Sequence, residues 1–475
     1  MYISQAKLIQ QGNLAQIHQT SFINLYPFVI SLFQYFFGDY ELSGRIVAVI
    51  FGSLSVVLFY SLARLLVDEI TAFTAAVFFC VTPSVVEYSS DVLREPMLWF
   101  FLFSSLYFAV KGFPNRDWQA VILSSTCAAF ALLTRAEGLV AVLLVLSWAI
   151  YKQMKEKNPT KYLGHVGLYM FSLISILLLC IYPVKLATGS WDFGHLHLRL
   201  EDLLFHGKTQ SPTEKIISVI TLKEGFENFA ETANLYKYLS LSFEPLFKTA
   251  KALGLIMVAF FVGGIYLHRL DSRLGEGKIF FTMWLIISLF LCYVHVMDRH
   301  YFSTRHGLII GVAAYVWVAK GFYELCGVTS EFLKKKRLVN FYLDSDKLAR
   351  TVLIIIVIIL IALSLIPYRT EKVDMKVAGS LLKQRGFAGI KIATFPAYSR
   401  VLFYAEAVPV MIDEKSDIFE IKNRMRDRNV QYLLIDTRKD LITSHRYFDE
   451  FFLKVEIEEF KSLKRYAFQL YRLID

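Results

Sequence analysis

Four stretches of this 475-residue chain set ionisable side chains at the ends of long apolar runs. They are Arg45; then Glu87, Asp91, Arg94 and Glu95; then Arg135 and Glu137; and last Asp298, Arg299, His300, Arg305 and His306. Charges at the edge of a hydrocarbon layer are expensive to bury, so their presence there points to use. Guanidinium groups grip a phosphate through bidentate, charge-assisted hydrogen bonds. A carboxylate nearby can take the proton of an attacking hydroxyl. Together they suit displacement of a phosphate leaving group by an alcohol, with fixed cations in place of a metal. On this reading Glu95 and Asp91 are the catalytic candidates, and Arg45, Arg94, Arg299 and Arg305 the phosphate-binding ones.

Plainer roles compete with these. Arg45 and Arg94 suit snorkelling to a lipid–water boundary. Glu95, followed by Pro96, suits the first turn of a helix, where the dipole favours a carboxylate. Asp298 and Arg299 suit a structural ion pair. His18, His195, His197 and His206 show no ligand spacing and read as loop residues. The run Lys334–Arg337 reads as a topological anchor.

The elements that must position these residues are membrane helices. Runs long enough to cross roughly 30 Å of hydrocarbon fall at about 45–67, 69–88, 93–111, 118–134, 136–152, 162–184, 251–268, 279–297, 306–326 and 349–367. Arg135 and Glu137 interrupt the fourth and fifth, which form either a hairpin of short helices or one long helix. Basic residues mark alternate loops: Arg64; Lys111 and Arg116; Lys152, Lys155, Lys157 and Lys161; Arg269, Arg273 and Lys278; and Lys334 to Arg337. The positive-inside rule makes these loops cytoplasmic. The regions 1–44, Tyr88–Glu95, 185–250 and the C-terminus then lie outside, so the charged residues singled out above collect on the outer face. Asn24–Phe37 is apolar but short and contains Pro27, and is placed as a helix in the outer interface.

Composition agrees with a polytopic membrane protein. The chain is 55% hydrophobic, with 41 Phe and 26 Tyr, and its mean hydropathy is +0.46. The formal charge of +10 is explained by basic loops beside a membrane, which leaves no call for nucleic acid as a partner. Cys80, Cys127, Cys180, Cys292 and Cys326 lie in or beside apolar segments and read as small buried hydrophobes. Met1 to Thr20 is mostly polar and shows no cleavable secretory signal. From about Glu371 short apolar runs (Lys391–Phe395, Val408–Ile412, Tyr432–Asp436, Leu453–Phe460, Tyr466–Leu473) alternate with helix-like stretches such as Asp417–Asn429. This predicts a small α/β domain without a phosphate loop. The expected organisation is 1–44 interfacial, 45–367 transmembrane with an external loop 185–250, and 368–475 an extracytoplasmic α/β domain.

Residues 22–113 resemble the polyprenol-dependent glycosyltransferase superfamily of GT-C fold, which includes protein O-mannosyltransferases and the lipid A aminoarabinose transferase. The resemblance runs through Asn24-Leu-Tyr-Pro-Phe, Gly38-Asp-Tyr-Glu, Arg45 and Tyr88-Ser-Ser-Asp-Val-Leu-Arg-Glu-Pro, with Glu95 at the family's acidic position. Ser90 stands where the family often has arginine. Arg299-His-Tyr-Phe resembles the Arg-Tyr element before a late span. The resemblance implies an inner (plasma) membrane transferase that takes a polyprenyl-phosphate sugar to a lipid, glycan or protein acceptor outside; no cofactor or metal site is assigned, and a metal is optional where fixed cations neutralise the leaving group. It also implies a catalytic Asp ahead of the helix that begins near Tyr2, upstream of Met1; a misassigned start, a truncated chain and a lost base all remain open. A carrier or flippase of polyprenyl-linked glycans, or a non-catalytic relative, are the alternatives. No internal repeat favours the carrier.

Overall fold

A computed structural model describes residues 2–14, 24–156, 162–188, 243–268, 275–299, 303–335, 345–365, 370–413, 416–438, 447–457, 460 and 466–474. The chain divides into two compact units, Met1–Leu365 and Ile366–Asp475.

The first unit is a helical bundle. Its helices are α1 (Tyr2–Gln10), α2 (Leu25–Phe37), α3 (Tyr40–Arg64), α4 (Glu69–Val81), α5 (Pro83–Ser90), α6 (Glu95–Asn115), α7 (Trp118–Thr134), α8 (Leu139–Lys155) and α9 (Leu163–Thr188). Then come α10 (Phe243–Leu253), α11 (Leu255–His268), α12 (Gly275–Arg299), α13 (Thr304–Lys335) and α14 (Ser345–Leu365). Among the described residues seven helices are long and apolar enough to cross a membrane, and nine spans result if two bent pairs each count as one. Asp39, Asp68 and Asp117 cap α3, α4 and α7 by accepting the amides of Leu42, Thr71 and Gln119, as side chains ahead of apolar runs should.

Two of the ten predicted spans are corrected. The run at 69–88 is two helices bent by 58°. Pro83 offers no amide and forces Thr82 into an extended conformation, so α4 ends and α5 restarts. The run at 251–268 is broken at Gly254, whose φ of +87° turns α10 against α11. At 14 residues, α11 spans about 21 Å, short of the hydrocarbon thickness. The run 118–152 resolves as the hairpin: α7 stops at Thr134, Ala136–Gly138 forms a single 3-10 turn, and α8 follows. α7 itself, 17 residues long, falls just short of the length needed for a straight crossing.

The core is aromatic around α6. Phe103 meets Phe59, Phe79 and Trp284, and Phe79 meets Trp99 and Tyr315, mostly edge to face or tilted. Serine hydroxyls tie helices where lipid offers no alternative partner: Ser124 donates to the Ser105 carbonyl at 2.8 Å, and Ser125 bonds Ser172. The break at Thr82 is held by the Tyr315 hydroxyl, which donates to Thr82 Oγ1 at 2.9 Å. By contrast Ile354, Ile355, Ile358 and Ile359 on α14 are exposed, a surface suited to lipid.

The bundle has two distinct ends. At one, Lys152 and Lys155 of α8 grip Glu276 at the start of α12, and Gly277 abuts the Leu66 carbonyl beyond α3. The start of α6, the α7–α8 turn and the start of α13 meet at the other.

The second unit is a mixed five-stranded sheet. It runs α15 (Thr370–Gln384), β1 (Lys391–Thr394), α16 (Ser399–Tyr404), β2 (Val408–Met411), α17 (Ile418–Asp427), β3 (Tyr432–Asp436), α18 (Phe448–Phe451), β4 (Phe452–Val455) and β5 (Phe468–Leu473). The order is β2-β1-β3-β5-β4, with β1 parallel to both neighbours and β5 antiparallel to both of its own. The strands fall on the predicted runs, and Asp417 caps α17 through the Glu420 amide.

Close backbone approach gives the first test. A Cβ at Gly321 of α13 would lie 1.8 Å from the Phe260 carbonyl of α11. Gly321→Ala is therefore expected to cost about 1–3 kcal/mol or more, seen as a lower thermal midpoint of the detergent-purified protein.

Candidate functional site

Three helix junctions build the site. α6 begins at Glu95 with Pro96 in its first turn, where the missing proline amide is one that no helix needs. α7 ends at Thr134 and is followed by Arg135, whose extended backbone lets the 3-10 turn bring Glu137 back beside it. There is no room for a side chain at Gly138, since a Cβ there would sit 2.4 Å from the Ala131 backbone. α13 begins just after Ser303 and carries Arg305 and His306 on its first turn.

Arg135 is the hub. Its guanidinium is nearly inaccessible and faces two buried carboxylates. Nη1 donates to Glu95 Oε1 at 2.6 Å. The Nε/Nη2 edge donates to both oxygens of Glu137, at 2.9 and 3.1 Å. Burial alone pulls the Arg135 pKa down, but Glu137 and Glu95 outweigh it and the guanidinium is held more firmly protonated than usual. From Glu137 the network continues to His306, whose Nε2 lies 3.4 Å from Oε1. His306 Nδ1 is 2.9 Å from the Ser303 hydroxyl, and its ring lies against that of His295, with centroids 4.4 Å apart.

Two further guanidinium groups flank the hub. Arg305 is about one-third exposed and lies 3.9 Å from Glu95 Oε1, over the ring of Tyr88. Arg94 reaches the Thr134 carbonyl at 3.4 Å and lies over the ring of Tyr2. Tyr2 meets Tyr26 edge to face, and the Tyr26 hydroxyl donates to the Gly44 carbonyl at 2.8 Å. Burial, followed by the charges of Glu95 and Asp91 among its neighbours, pushes the Tyr26 phenol far up, so it stays a neutral donor. Glu95 Oε2 is buried and accepts no hydrogen bond among the described residues. A carboxylate oxygen left without a donor in this way can accept from a hydroxyl that reaches it.

The structure thus draws Arg94, Glu95 and Arg305 together with Arg135, Glu137 and His306. Asp91 lies in the same α5–α6 turn, where its Oδ1 accepts the Val92 amide. Arg45 stands apart, on the first turns of α3, exposed and ion-paired with Glu41 one turn earlier. Arg299 closes α12, but its side chain and the whole of His300 lie outside the described residues. The sequence reading gave no role to Arg135, Glu137, His295 or the tyrosine rings under the arginines. A signal existed for His295, an ionisable residue inside a membrane helix. Tyr26 and Tyr88 lay within the stretches that carry the resemblance but were given no role, since the chain holds 26 tyrosines and only the fold sets Tyr2 and Tyr88 beside arginines, with Tyr26 against Tyr2. Among the described residues no three His, Cys, Asp or Glu side chains converge as metal ligands.

Residues 24–179, about a third of the chain, match the family model of dolichyl-phosphate-mannose-protein mannosyltransferases. No curated protein sequence matches. Among solved structures, ArnT from Cupriavidus metallidurans bound to undecaprenyl phosphate is similar at a TM-score of 0.60 and 10% identity, over 99% of this chain and 92% of that one. The archaeal oligosaccharyltransferase AglB from Archaeoglobus fulgidus, in complex with an inhibitory peptide and a dolichol-phosphate, gives 0.56 at 11% identity over 92% of this chain. The same archaeal enzyme tethered to an acceptor peptide gives 0.53 at 11% identity over 86% of this chain. This chain spans 60–65% of the archaeal enzyme's length. The fold is therefore that of the GT-C glycosyltransferases.

The two kinds of ion pair predict different costs. Arg45→Ala breaks a half-exposed surface pair and is expected to change stability by less than about 1 kcal/mol. Arg135→Met strands two buried carboxylates and is expected to cost about 3–5 kcal/mol. Thermal or denaturant unfolding of both variants in detergent checks the contrast.

Proposed function

We propose that this protein is a membrane glycosyltransferase that moves a sugar from a polyprenyl-phosphate donor to a lipid, glycan or protein acceptor. The observation that carries the reading is the convergence of Arg94, Glu95, Arg135, Glu137 and Arg305 at one end of the bundle. The lipid phosphates bound in the similar ArnT and AglB structures and the family match over residues 24–179 support the choice of donor.

In this reading an acceptor hydroxyl attacks the anomeric carbon, the bond from that carbon to the phosphate oxygen breaks, and configuration inverts. The negative charge that develops on the leaving phosphate is met by Arg305 and Arg94, with Arg299, at the end of α12, as a further candidate. Such preset cations act where charge grows in the transition state. Glu95, through Oε2, and Asp91 are the carboxylates placed to orient the acceptor or take its proton.

The membrane is an inner (plasma) membrane, with the charged end and the second unit on the non-cytoplasmic side. The support is the clustering of Lys152, Lys155 and the loop after Arg64 at the opposite end. Maleimide labelling of single cysteines placed at positions 90 and 438 tests this. Protection of either from a membrane-impermeant reagent in intact cells overturns the sidedness.

The reaction is tested with the purified full chain and a labelled polyprenyl-phosphate sugar, by following release of sugar. Arg305→Ala and Glu95→Gln are each expected to lower turnover by about 10²-fold or more, and Arg299→Ala to weaken it too, with protein levels in membranes retained. Sugar release at the wild-type rate from both Arg305→Ala and Glu95→Gln sinks the site assignment. A wild-type chain that binds the donor but never releases sugar points instead to a carrier.

A further inference from the structure

The proposed phosphate site carries a puzzle in its electrostatics. Arg305, the exposed cation best placed for an anion, has a buried carboxylate within reach: Glu95 Oε1 lies 3.9 Å away. A carboxylate that closed this gap would neutralise Arg305 and compete with any incoming phosphate. What holds it off is visible. The same oxygen takes a 2.6 Å hydrogen bond from Arg135 Nη1, and Arg135 is itself fixed by the two-pronged grip of Glu137 on its other edge.

We infer that Arg135 is a positioning residue that holds Glu95 away from Arg305, and so keeps Arg305 available for a phosphate-bearing lipid that Arg135 does not itself touch. The inference rests on the donor reading above. Four features carry it. Arg135 is almost wholly buried, whereas Arg305 is about one-third exposed. One carboxylate oxygen is shared unequally between the two guanidinium groups, by 2.6 against 3.9 Å. Glu137 orients the Arg135 fork so that a single nitrogen, Nη1, is left for Glu95. Finally, Arg305 also lies over the Tyr88 ring, a contact that a cation can keep while its outer edge meets an anion. Glu137 also lies beside His306, one residue after Arg305, so the hub is tied to the first turn of the helix that carries the phosphate ligand.

A residue that only stabilised the fold would lower the yield of folded protein. Arg135 in this role has a sharper signature, because its effect on binding passes through the charge of Glu95. The measurement is equilibrium binding of undecaprenyl phosphate to the full chain in detergent, restricted to the monodisperse fraction of each variant. Arg135→Gln is expected to bind about tenfold more weakly than wild type. Arg135→Lys, which keeps the charge and one donor, falls between the two. Glu95→Gln alone, which leaves the rest of the hub intact, binds more tightly than wild type. Arg135→Gln combined with Glu95→Gln returns to within about threefold of wild type, so the two effects are not additive.

Binding by Arg135→Gln equal to wild type overturns the inference, as does a double variant no better than Arg135→Gln. If Arg135→Gln yields no folded protein, Glu95→Gln decides: unchanged or weaker binding there overturns the inference. A wild-type chain that binds no undecaprenyl phosphate overturns the donor reading, and this inference falls with it. Binding that follows the expected pattern without sugar transfer leaves the inference standing and sinks the transferase proposal.

Discussion

The arrangement rests on one buried cation and the two carboxylates it satisfies. Each of these charges, taken alone into the interior of a helical bundle, would be costly by several kcal/mol. Arg135 meets the need for both Glu95 and Glu137 at once by using separate edges of its planar fork. A lysine could not, since its single ammonium has no pair of edges. The interaction also joins the chain across 40 residues, from the start of α6 to the turn between α7 and α8. It therefore fixes the relative height of three helices as well as the charge pattern between them.

The charged hub, Glu95, Arg135, Glu137 and Arg305, sits at helix ends, and the reason is the solvent. Within a span the backbone must satisfy itself and the side chains are mostly apolar or paired with one another. Polar chemistry is confined to places where helices stop. This bundle multiplies such stops on one side: Pro83 divides the second span, α5 ends at Ser90, α6 restarts at Glu95, α7 ends at Thr134 and α13 begins at Thr304. The bends that shorten its spans are thus the same features that gather charge. The aromatic core around Phe79, Trp99, Phe103 and Tyr315 is rigid material behind them, and Thr82 is fastened to it by Tyr315.

Much of this was legible in the chain. Apolar length and basic loops located the helices, because hydrocarbon thickness sets span length whatever the packing. The five strands of the second unit followed from their short apolar runs. The resemblance around Asn24, Arg45 and Glu95 pointed to the fold found. Breaks were harder: Pro83 inside an apolar run was visible but its 58° bend was not, since proline in a membrane helix can be absorbed as a kink. Gly254 was illegible, because a positive φ is a property of the backbone and any loop glycine offers it. In the site, the converging charges were found because ions near hydrocarbon are rare. Their pairing was not, since which carboxylate an arginine chooses depends on heights and rotations that only helix packing decides. That is why Arg135 passed as an interruption of a hairpin and Arg45 as an equal of Arg305.

The contrast also explains how this fold persists at 10–11% identity to ArnT and AglB. A span asks only for apolar residues of suitable volume, so its sequence drifts freely within one composition. An ion hub asks for particular atoms at particular distances, yet it can move by a turn if its partner moves as well. Overall identity then falls low, although the family model still matches residues 24–179. What remains comparable is the arrangement of the helices, which matches ArnT at a TM-score of 0.60 and AglB at 0.56. In this chain the charged end of the bundle supplies one arginine held close by two carboxylates and another, Arg305, that lies 3.9 Å from one of them. A site built to receive a phosphate needs that division, because cations fully paired within the protein have nothing left for a ligand, and cations wholly unpaired would repel one another apart.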